Sequence, residues 1–300
     1  MSAEPVTKPS ALITGIGGFT GPYVSKELSA AGYEIIGISN GGEPGSSIYQ
    51  VDLCDRDAIQ KVVDEVQPTV VIHLAAISFV AHGDTGEIYN SNITGTRNLL
   101  SALSSTAKQP SSVVLASSAN VYGNSKISPL TEDLPLAPAN DYAVSKLSME
   151  YMASLWFDKL PISIARPFNY TGVGQSEKFL VAKIAAHFKR RDKRIVLGNL
   201  DISRDFSDVR FVAEAYRRIV EAAPSGEVVN ICSGVPYSLK QIIQDMNRIA
   251  GYEIEVEVNP EFVRSNDVKT LVGSNKKLFS LIGEMPIRPF LDTLEWMHES

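Results

Sequence analysis

Apolar residues in the first half of the chain form short unbroken runs, separated by stretches in which they recur every three or four positions. Ala11 to Thr14, Glu34 to Ile38, Val70 to Leu74, SVVLA at 112–116 and Ile162 to Arg166 read as strands. Gly21 to Ala31 and Asp55 to Val66 read as amphipathic helices between them. ALIT, VVIHL and SVVLA are apolar almost throughout instead of alternating, as strands covered on both faces by helices must be. The pattern predicts an α/β fold built on a doubly wound parallel sheet. After Arg166 it loosens: Pro167, Gly172 and Gly174 punctuate a loop, a helical run follows from Phe179 to Arg190, and shorter elements continue to the end. We read a first domain over 1–170 and a smaller C-terminal α/β subdomain over 171–300, with the chain able to cross back.

Gly15, Gly18 and Gly21 form GxxGxxG directly after the strand ALIT and directly before a helix. A pyrophosphate on such a turn needs glycines for close backbone approach, and the following helix N-terminus offers unpaired N–H groups and the positive end of its dipole. The alternative is a tight strand-to-helix turn that binds nothing. A ribose 2′-hydroxyl is usually met by an acid after the second strand and a 2′-phosphate by an arginine. Here IIGISN ends in Ser39 and Asn40, which leaves NAD and NADP both open. Asp52, after the third strand, is placed either to meet an adenine edge or to cap a helix.

Two YxxxK pairs occur where about half a match is expected by chance, so the bare pattern carries little weight. Tyr122 and Lys126 lie in VYGNSK, whose Gly123 and Asn124 favour a turn. Tyr142 and Lys146 lie in NDYAVSKLSMEYMASL, a helix with Asn140 or Asp141 as its cap, and there positions i and i+4 share a face. Ser117 and Ser118 follow the strand SVVLA, at the carboxyl end where ligands of doubly wound sheets bind. Ser118, Tyr142 and Lys146 make chemical sense together. A neighbouring ammonium lowers a phenol's pKa, the phenol delivers a proton to a carbonyl oxygen that receives negative charge, and the serine hydroxyl hydrogen-bonds that oxygen.

Composition removes other classes. With 34 acidic residues against 28 basic and a net charge of −6, nothing recommends nucleic acid or an anionic membrane as a partner. The run KRRDKR at 189–194 reads as a solvated helix end. Cys54 and Cys232 form no disulfide framework, and four scattered histidines add no metal ligand set. MSAEPVTKPS at the start has no apolar h-region and no run of about 18 apolar residues follows, so a cytoplasmic protein is expected.

Taken together the motifs resemble the extended short-chain dehydrogenase/reductases that act on nucleotide sugars, the NAD-dependent epimerase/dehydratase family, over essentially the whole chain. GIGGFTG, HLAA at 73–76, NITGTRN at 92–98, SSANVYG, YAVSK and RPFN at 166–169 carry the resemblance. It implies a Rossmann-type sheet whose domain binds NAD(H) or NADP(H), with catalytic Ser118, Tyr142 and Lys146. It places the dinucleotide on Gly15, Gly18, Phe19, Thr20, Gly21, Ser39, Asn40, Asp52, Leu53, Leu74, Ala75, Ala76, Asn92, Tyr142, Lys146 and Arg166. GVGQ at 172–175, LGNLDISRDFSDVR at 197–210, NICSG at 230–234 and VRSNDVKTLVGSNKKL at 263–278 resemble the GDP-4-keto-6-deoxy-D-mannose reductases and the related GDP-mannose 4,6-dehydratases. By that likeness Ser78, Asn120, Asn169, Gln175, Phe179, Lys183, Asn199, Arg204, Arg264 and Asp267 meet a GDP-sugar. The arginines would hold its diphosphate, a task that suits guanidinium forks.

One departure narrows the reading. The dehydratases carry a Glu two residues after the catalytic hydroxyl as a base toward the sugar C5, and here Asn120, which cannot be a base, stands there. Ser265, Asn266 and Asp267 also depart from the family's stretch after Arg264. The expected activity is hydride transfer from NAD(P)H to the C4 ketone of GDP-4-keto-6-deoxy-D-mannose, giving a GDP-6-deoxyhexose such as GDP-D-rhamnose. The alternatives are an NAD-dependent nucleotide-sugar 4-epimerase and a non-catalytic dinucleotide sensor. The resemblance also implies a homodimer, paired through the helices that carry Leu99, Leu100 and Leu103, and Leu147, Met149 and Met152.

Overall fold

A computed structural model describes residues 8–41, 47–78, 84–260 and 270–300. In chain order its elements are β1 (Ser10–Thr14), α1 (Gly21–Ala30), β2 (Glu34–Ser39), β3 (Ile48–Gln50), α2 (Arg56–Val66), β4 (Val70–His73), α3 (Thr85–Tyr89), α4 (Thr96–Ser105), β5 (Ser112–Ala116), α5 (Asp141–Ser154), β6 (Ile162–Pro167) and β7 (Asn169–Thr171). There follow α6 (Leu180–Lys189), β8 (Arg194–Leu197), β9 (Ser203–Asp208), α7 (Val209–Ala222), β10 (Val228–Ile231), β11 (Pro236–Ser238), α8 (Leu239–Ala250), β12 (Glu255–Val258), β13 (Thr270–Leu271), α9 (Lys276–Ile282) and α10 (Phe290–Glu299). A π-helical turn, Asn90–Gly95, leads into α4, and a 3₁₀ turn covers Ala119–Tyr122.

The main sheet has the order β10-β6-β5-β4-β1-β2-β3, and each adjacent pair from β6 through β3 is parallel. This is the doubly wound sheet that the unbroken apolar runs predict. Every residue of β4 and β5 is buried, which requires layers on both faces. Strand order reverses between β1 and β4, and such reversals open a crevice beyond the carboxyl ends of the strands.

The chain folds into two compact units. Of the described residues, the first holds those up to 117, 140–165 and 213–228, the second 118–139, 166–212 and those from 229 on, so the chain passes between them several times. The core of the first joins Leu12, Ile38, Val71, Val113 and Ile162 of the sheet to Ile59, Val63, Leu99, Leu103 and Met149 of its helices. In the second, Val181, Ile184, Phe188, Ile242, Met246 and Leu294 surround Ile195, Leu197 and Phe206. There β7 and β13 run parallel to β9, β11 antiparallel to it, and β8 pairs with β12.

Local signals account for the helix ends. Asp55 caps α2 by accepting from Ala58 N–H at 3.0 Å, and Ser238 caps α8 through Gln241 N–H at 3.0 Å. At α5, Asn140 is the cap, accepting from Ala143 N–H at 2.9 Å. Asp141 enters the first turn instead, and its carboxylate accepts from Tyr89 Oη–H at 2.8 Å. The surplus apolar surface expected of the two helices differs from the observation. Leu99, Leu100, Leu103 and Met149 are fully buried in the first unit's own core, and the exposed apolar side chains of that region are Tyr151 (66%) and Leu155 (73%). The apolar stripe of α4 is spent on α2 and the sheet, leaving only the outer stripe of α5 in solvent.

Candidate functional site

The glycine turn is shaped by what cannot stand in it. Gly15 has φ +72°, and a Cβ there would lie 2.7 Å from the backbone nitrogen of Ala75, so β1 and β4 approach as closely as their main chains allow. A Cβ on Gly21 would sit 2.2 Å from the carbonyl oxygen of Ile16, which is why α1 starts so tightly against the turn. Gly15 N–H donates to Ile38 O at 2.8 Å and Gly18 N–H to Gly15 O at 3.0 Å, while Gly17 and Gly18 face solvent. Thr20, buried, precedes α1 without a side-chain capping bond, and Phe19 stacks edge-on against Tyr23 at 5.9 Å. A cradle that any side chain would fill, ending at a helix N-terminus, fits a dinucleotide pyrophosphate.

Beyond β2, Ser39 Oγ donates to Gly41 O at 2.6 Å and accepts from Gly41 N–H, so a hydroxyl and a short turn, with Asn40 between them, occupy the position where an acid or arginine would declare the cofactor. Asp52 caps no helix; its carboxylate accepts from Cys54 N–H at 2.8 Å and stays exposed. Leu53 is buried beneath Gly95, where an added Cβ would come within 2.9 Å of it. Leu74, Ala75 and Ala76 are half-buried after β4, and Ser78 is exposed.

Behind this strand end lies a buried chain of polar groups that sequence reading missed. Thr96 Oγ–H donates to Asn92 O at 2.8 Å, so its oxygen accepts from His73 Nε2–H at 2.8 Å. His73 Nδ1 then accepts from Thr14 Oγ–H at 2.6 Å, and Thr14 Oγ accepts from Ala75 N–H at 3.3 Å. Asn92 Oδ1 accepts from Ile77 N–H at 3.0 Å, its Nδ2 donates to Ser145 Oγ at 2.9 Å, and Ser145 Oγ–H donates to Tyr142 O at 2.8 Å. The loop after β4 is thereby tied to α5 through the π turn, a type of helical irregularity common at functional sites. Burial, with Lys146 adding to it, pushes His73 down to about 3. The imidazole is neutral.

Tyr142 and Lys146 lie one turn apart on α5, both buried. Lys146, 2% exposed, donates through Nζ to Ala116 O at 2.7 Å, at the carboxyl end of β5. Its burial brings the ammonium down to about 8, against an upward pull from Glu150. Tyr122 ends the 3₁₀ turn, Gly123 follows at φ +60°, and Lys126 is exposed, so no helical face joins them. Tyr122 Oη donates to Asn230 Oδ1 at 2.7 Å and accepts from Arg166 at 2.9 Å, and burial pushes it up to about 12.

The remaining site candidates belong to the second unit. Ser118 is buried and precedes the 3₁₀ turn; its Oγ accepts from both Asn120 N–H at 3.2 Å and Asn120 Nδ2 at 3.1 Å, which orients the hydroxyl as a donor. Arg166 is buried with its guanidinium on Tyr122 Oη and 5.0 Å from the Tyr122 ring centroid. Asn169, exposed, donates to Asp205 O at 3.3 Å. Gln175 uses both ends of its amide, accepting from Thr171 Oγ–H at 2.7 Å and donating to Tyr170 O at 3.1 Å. Phe179 is half-buried before α6, Asn199 accepts from Asp201 N–H at 2.9 Å, and Lys183 Nζ donates to Val196 O at 2.9 Å. Arg204 donates to Ser203 O at 2.9 Å. Among its neighbours, Asp205 accepts from Ser233, Gly234 and Gly273, and Asp208 from Arg210 and Thr293. Arg264 and Asp267 lie outside the described residues.

Known proteins resemble this chain over nearly its whole length. GDP-6-deoxy-D-talose 4-dehydrogenase of Aggregatibacter actinomycetemcomitans is 33% identical over 91% of this chain and 90% of its own. GDP-6-deoxy-D-mannose reductase of Pseudomonas aeruginosa is 31% identical over 91% of each. A crystal structure from Burkholderia cenocepacia J2315 is 50% identical, covers 98% of both chains and superposes with a TM-score of 0.93. RMD from Pseudomonas aeruginosa complexed with NADPH is 30% identical, covers 98% of both and superposes at 0.86. Residues 11–232 match the NAD dependent epimerase/dehydratase family, and the chain belongs to it.

Proposed function

We propose that this enzyme is a GDP-sugar 4-ketoreductase, taking a nicotinamide dinucleotide on the glycine turn and reducing the C4 ketone of GDP-4-keto-6-deoxy-D-mannose to a GDP-6-deoxyhexose such as GDP-D-rhamnose. The observation that carries it is α5, which presents a phenol and, one turn on, a lysine whose ammonium is anchored on Ala116 O at the end of β5. Both of the relatives compared by sequence act on GDP-6-deoxyhexoses by name. The bound nicotinamide supplies hydride to the ketone carbon. Tyr142 gives its phenolic proton to the ketone oxygen, and Lys146 eases that transfer by its positive charge. Ser118, its lone pairs taken by Asn120, donates its hydroxyl hydrogen to the same oxygen. Asn120 provides no base, which argues against dehydration.

The test is turnover of the product of GDP-mannose dehydration with NADH and NADPH in separate reactions, beside UDP-glucose without added cofactor. Reduced nicotinamide should be consumed in the first case. Turnover of UDP-glucose alone would identify a 4-epimerase instead, and no turnover with dinucleotide still binding would identify a sensor. In the same preparation Arg204→Ala should weaken GDP binding by calorimetry about tenfold, near 1.4 kcal/mol, with dinucleotide affinity unchanged. Equal losses for both ligands would show a fold defect, and no loss would remove Arg204 from the substrate site.

We also propose a homodimer. Tyr151 and Leu155 stand one turn apart on the outer stripe of α5 and its continuation, and two large apolar side chains at 66% and 73% exposure suit a helix-on-helix contact. Sedimentation should return about twice the chain mass of 32.6 kDa at micromolar concentration. A mass of one chain would reject the dimer.

A further inference from the structure

Glu150 is a buried carboxylate for which the reaction as written has no use. It is 6% exposed, on α5, four residues after Lys146 and eight after Tyr142, so the three side chains follow one another along one helical face. Its carboxylate accepts a hydrogen bond from Ser117 Oγ–H, itself buried. The main-chain oxygen of the residue before, Ala116, accepts from Lys146 Nζ. Two consecutive residues at the carboxyl end of β5 therefore grip two side chains one turn apart on α5.

Packing alone does not call for an acid here. A buried carboxylate costs several kcal/mol unless a cation compensates it, and a glutamine could accept from Ser117 without that cost. A cation that interacts with it electrostatically, Lys146, is one turn away. Lys146 is itself buried, and the oxygen its ammonium bonds, Ala116 O, is a neutral dipole. Among the other described titratable groups on the elements packed around it, His73 on β4 is neutral, Tyr89 on α3 gives its hydroxyl to Asp141 at the opposite end of α5, and the carboxylates of Asp141 and of Glu87 on α3 belong to exposed residues. Arg97 on α4 is exposed.

We infer that Glu150 is a positioning residue for Lys146: held by Ser117, its carboxylate keeps the buried lysine charged and so sets the alkaline limit of turnover. This rests on the catalytic reading of Tyr142 and Lys146 given above. Burial drives Lys146 toward the neutral amine, Glu150 opposes it, and the balance at about 8 leaves most molecules charged at neutral pH. Without the carboxylate the balance tips. A neutral lysine no longer favours proton loss from the phenol.

Glu150→Gln keeps the volume and an acceptor for Ser117 while removing the charge. The Lys146 side-chain Cε resonance, assigned by its loss in Lys146→Arg, should titrate at least half a pH unit lower in Glu150→Gln than in the wild type, roughly a threefold change in the ratio of amine to ammonium. The alkaline limb of the kcat profile should move by the same amount, with KM little changed. Glu150→Asp, which retains the charge, should restore most of both shifts. An unchanged Lys146 titration in Glu150→Gln, or a Glu150→Asp that behaves like it, overturns the proposal. The titration needs no substrate: if it moves while the kcat profile does not, the catalytic reading of Lys146 fails and the charge coupling stands.

Discussion

Tyr142→Phe is expected to lower kcat by about 10² or more, because it removes the hydroxyl that carries the proton in the proposed mechanism while leaving the ring in its place on α5. Dinucleotide affinity should stay within a fewfold, since the glycine turn and the loop after β4 are untouched. Tyr122→Phe is the control with a different signature. Its hydroxyl bridges Asn230 and Arg166 deep in the second unit, so its loss leaves buried polar groups short of a partner and lowers stability by about 1–3 kcal/mol with kcat nearly intact. The measurement is single-turnover reduction together with urea unfolding of both variants. A Tyr122→Phe protein that folds normally but turns over a hundredfold more slowly, beside an active Tyr142→Phe, would reverse the assignment of the two pairs.

The second large effect is acid lability set by His73. The imidazole is 1% exposed, with both ring nitrogens committed to Thr14 and Thr96, and it titrates near 3 against an ordinary value of 6.5. The unfolded chain therefore takes up a proton near pH 6.5 that the folded chain refuses until about 3. Stability from this residue is fully present above 6.5 and falls as pH drops toward 3, by about 1.4 kcal/mol per pH unit. Protonation of Nδ1 would also turn the acceptor of the Thr14 hydroxyl into a donor and undo the tie between β1 and the loop at Ala75. Urea unfolding at pH 6.5, 5.5 and 4.5 checks this: the wild type should lose stability faster than His73→Gln, narrowing the gap by roughly one proton's slope. Parallel pH dependences would mean that His73 titrates normally in the folded protein.

His73 and Glu150 also mark where sequence reading ended. HLAA was legible as a strand end beside a cofactor, but nothing local shows that His73 reaches Thr96, 23 residues on, or that Thr96 in turn bonds Asn92. Ser117 and Ser118 read alike in sequence, as two hydroxyls at the end of a strand. In the structure Ser117 goes to Glu150, 33 residues away, while Ser118 turns to Asn120 and opens the 3₁₀ turn, because successive side chains of an extended segment leave on opposite sides. The same limit explains Lys183, a phosphate candidate by position whose ammonium lies on Val196 O, and Gln175, whose amide closes its own loop.

What the chain determined by itself is the part governed by near neighbours. Unbroken apolar runs dictated strands buried on both faces, GxxGxxG dictated a turn whose first and last glycines admit no Cβ, and NDYAVSK dictated a helix with tyrosine and lysine on one face. These follow from periodicity and backbone sterics within a few residues. Tertiary structure decided that the Tyr122 hydroxyl is spent on Asn230 and Arg166, that Ser117 meets Glu150, and that the Lys146 ammonium lies on Ala116 O. Each depends on strand register and on helices docked from distant parts of the chain. There a shift of one residue reverses the side a group faces, and the cost of burying a charge selects its partner.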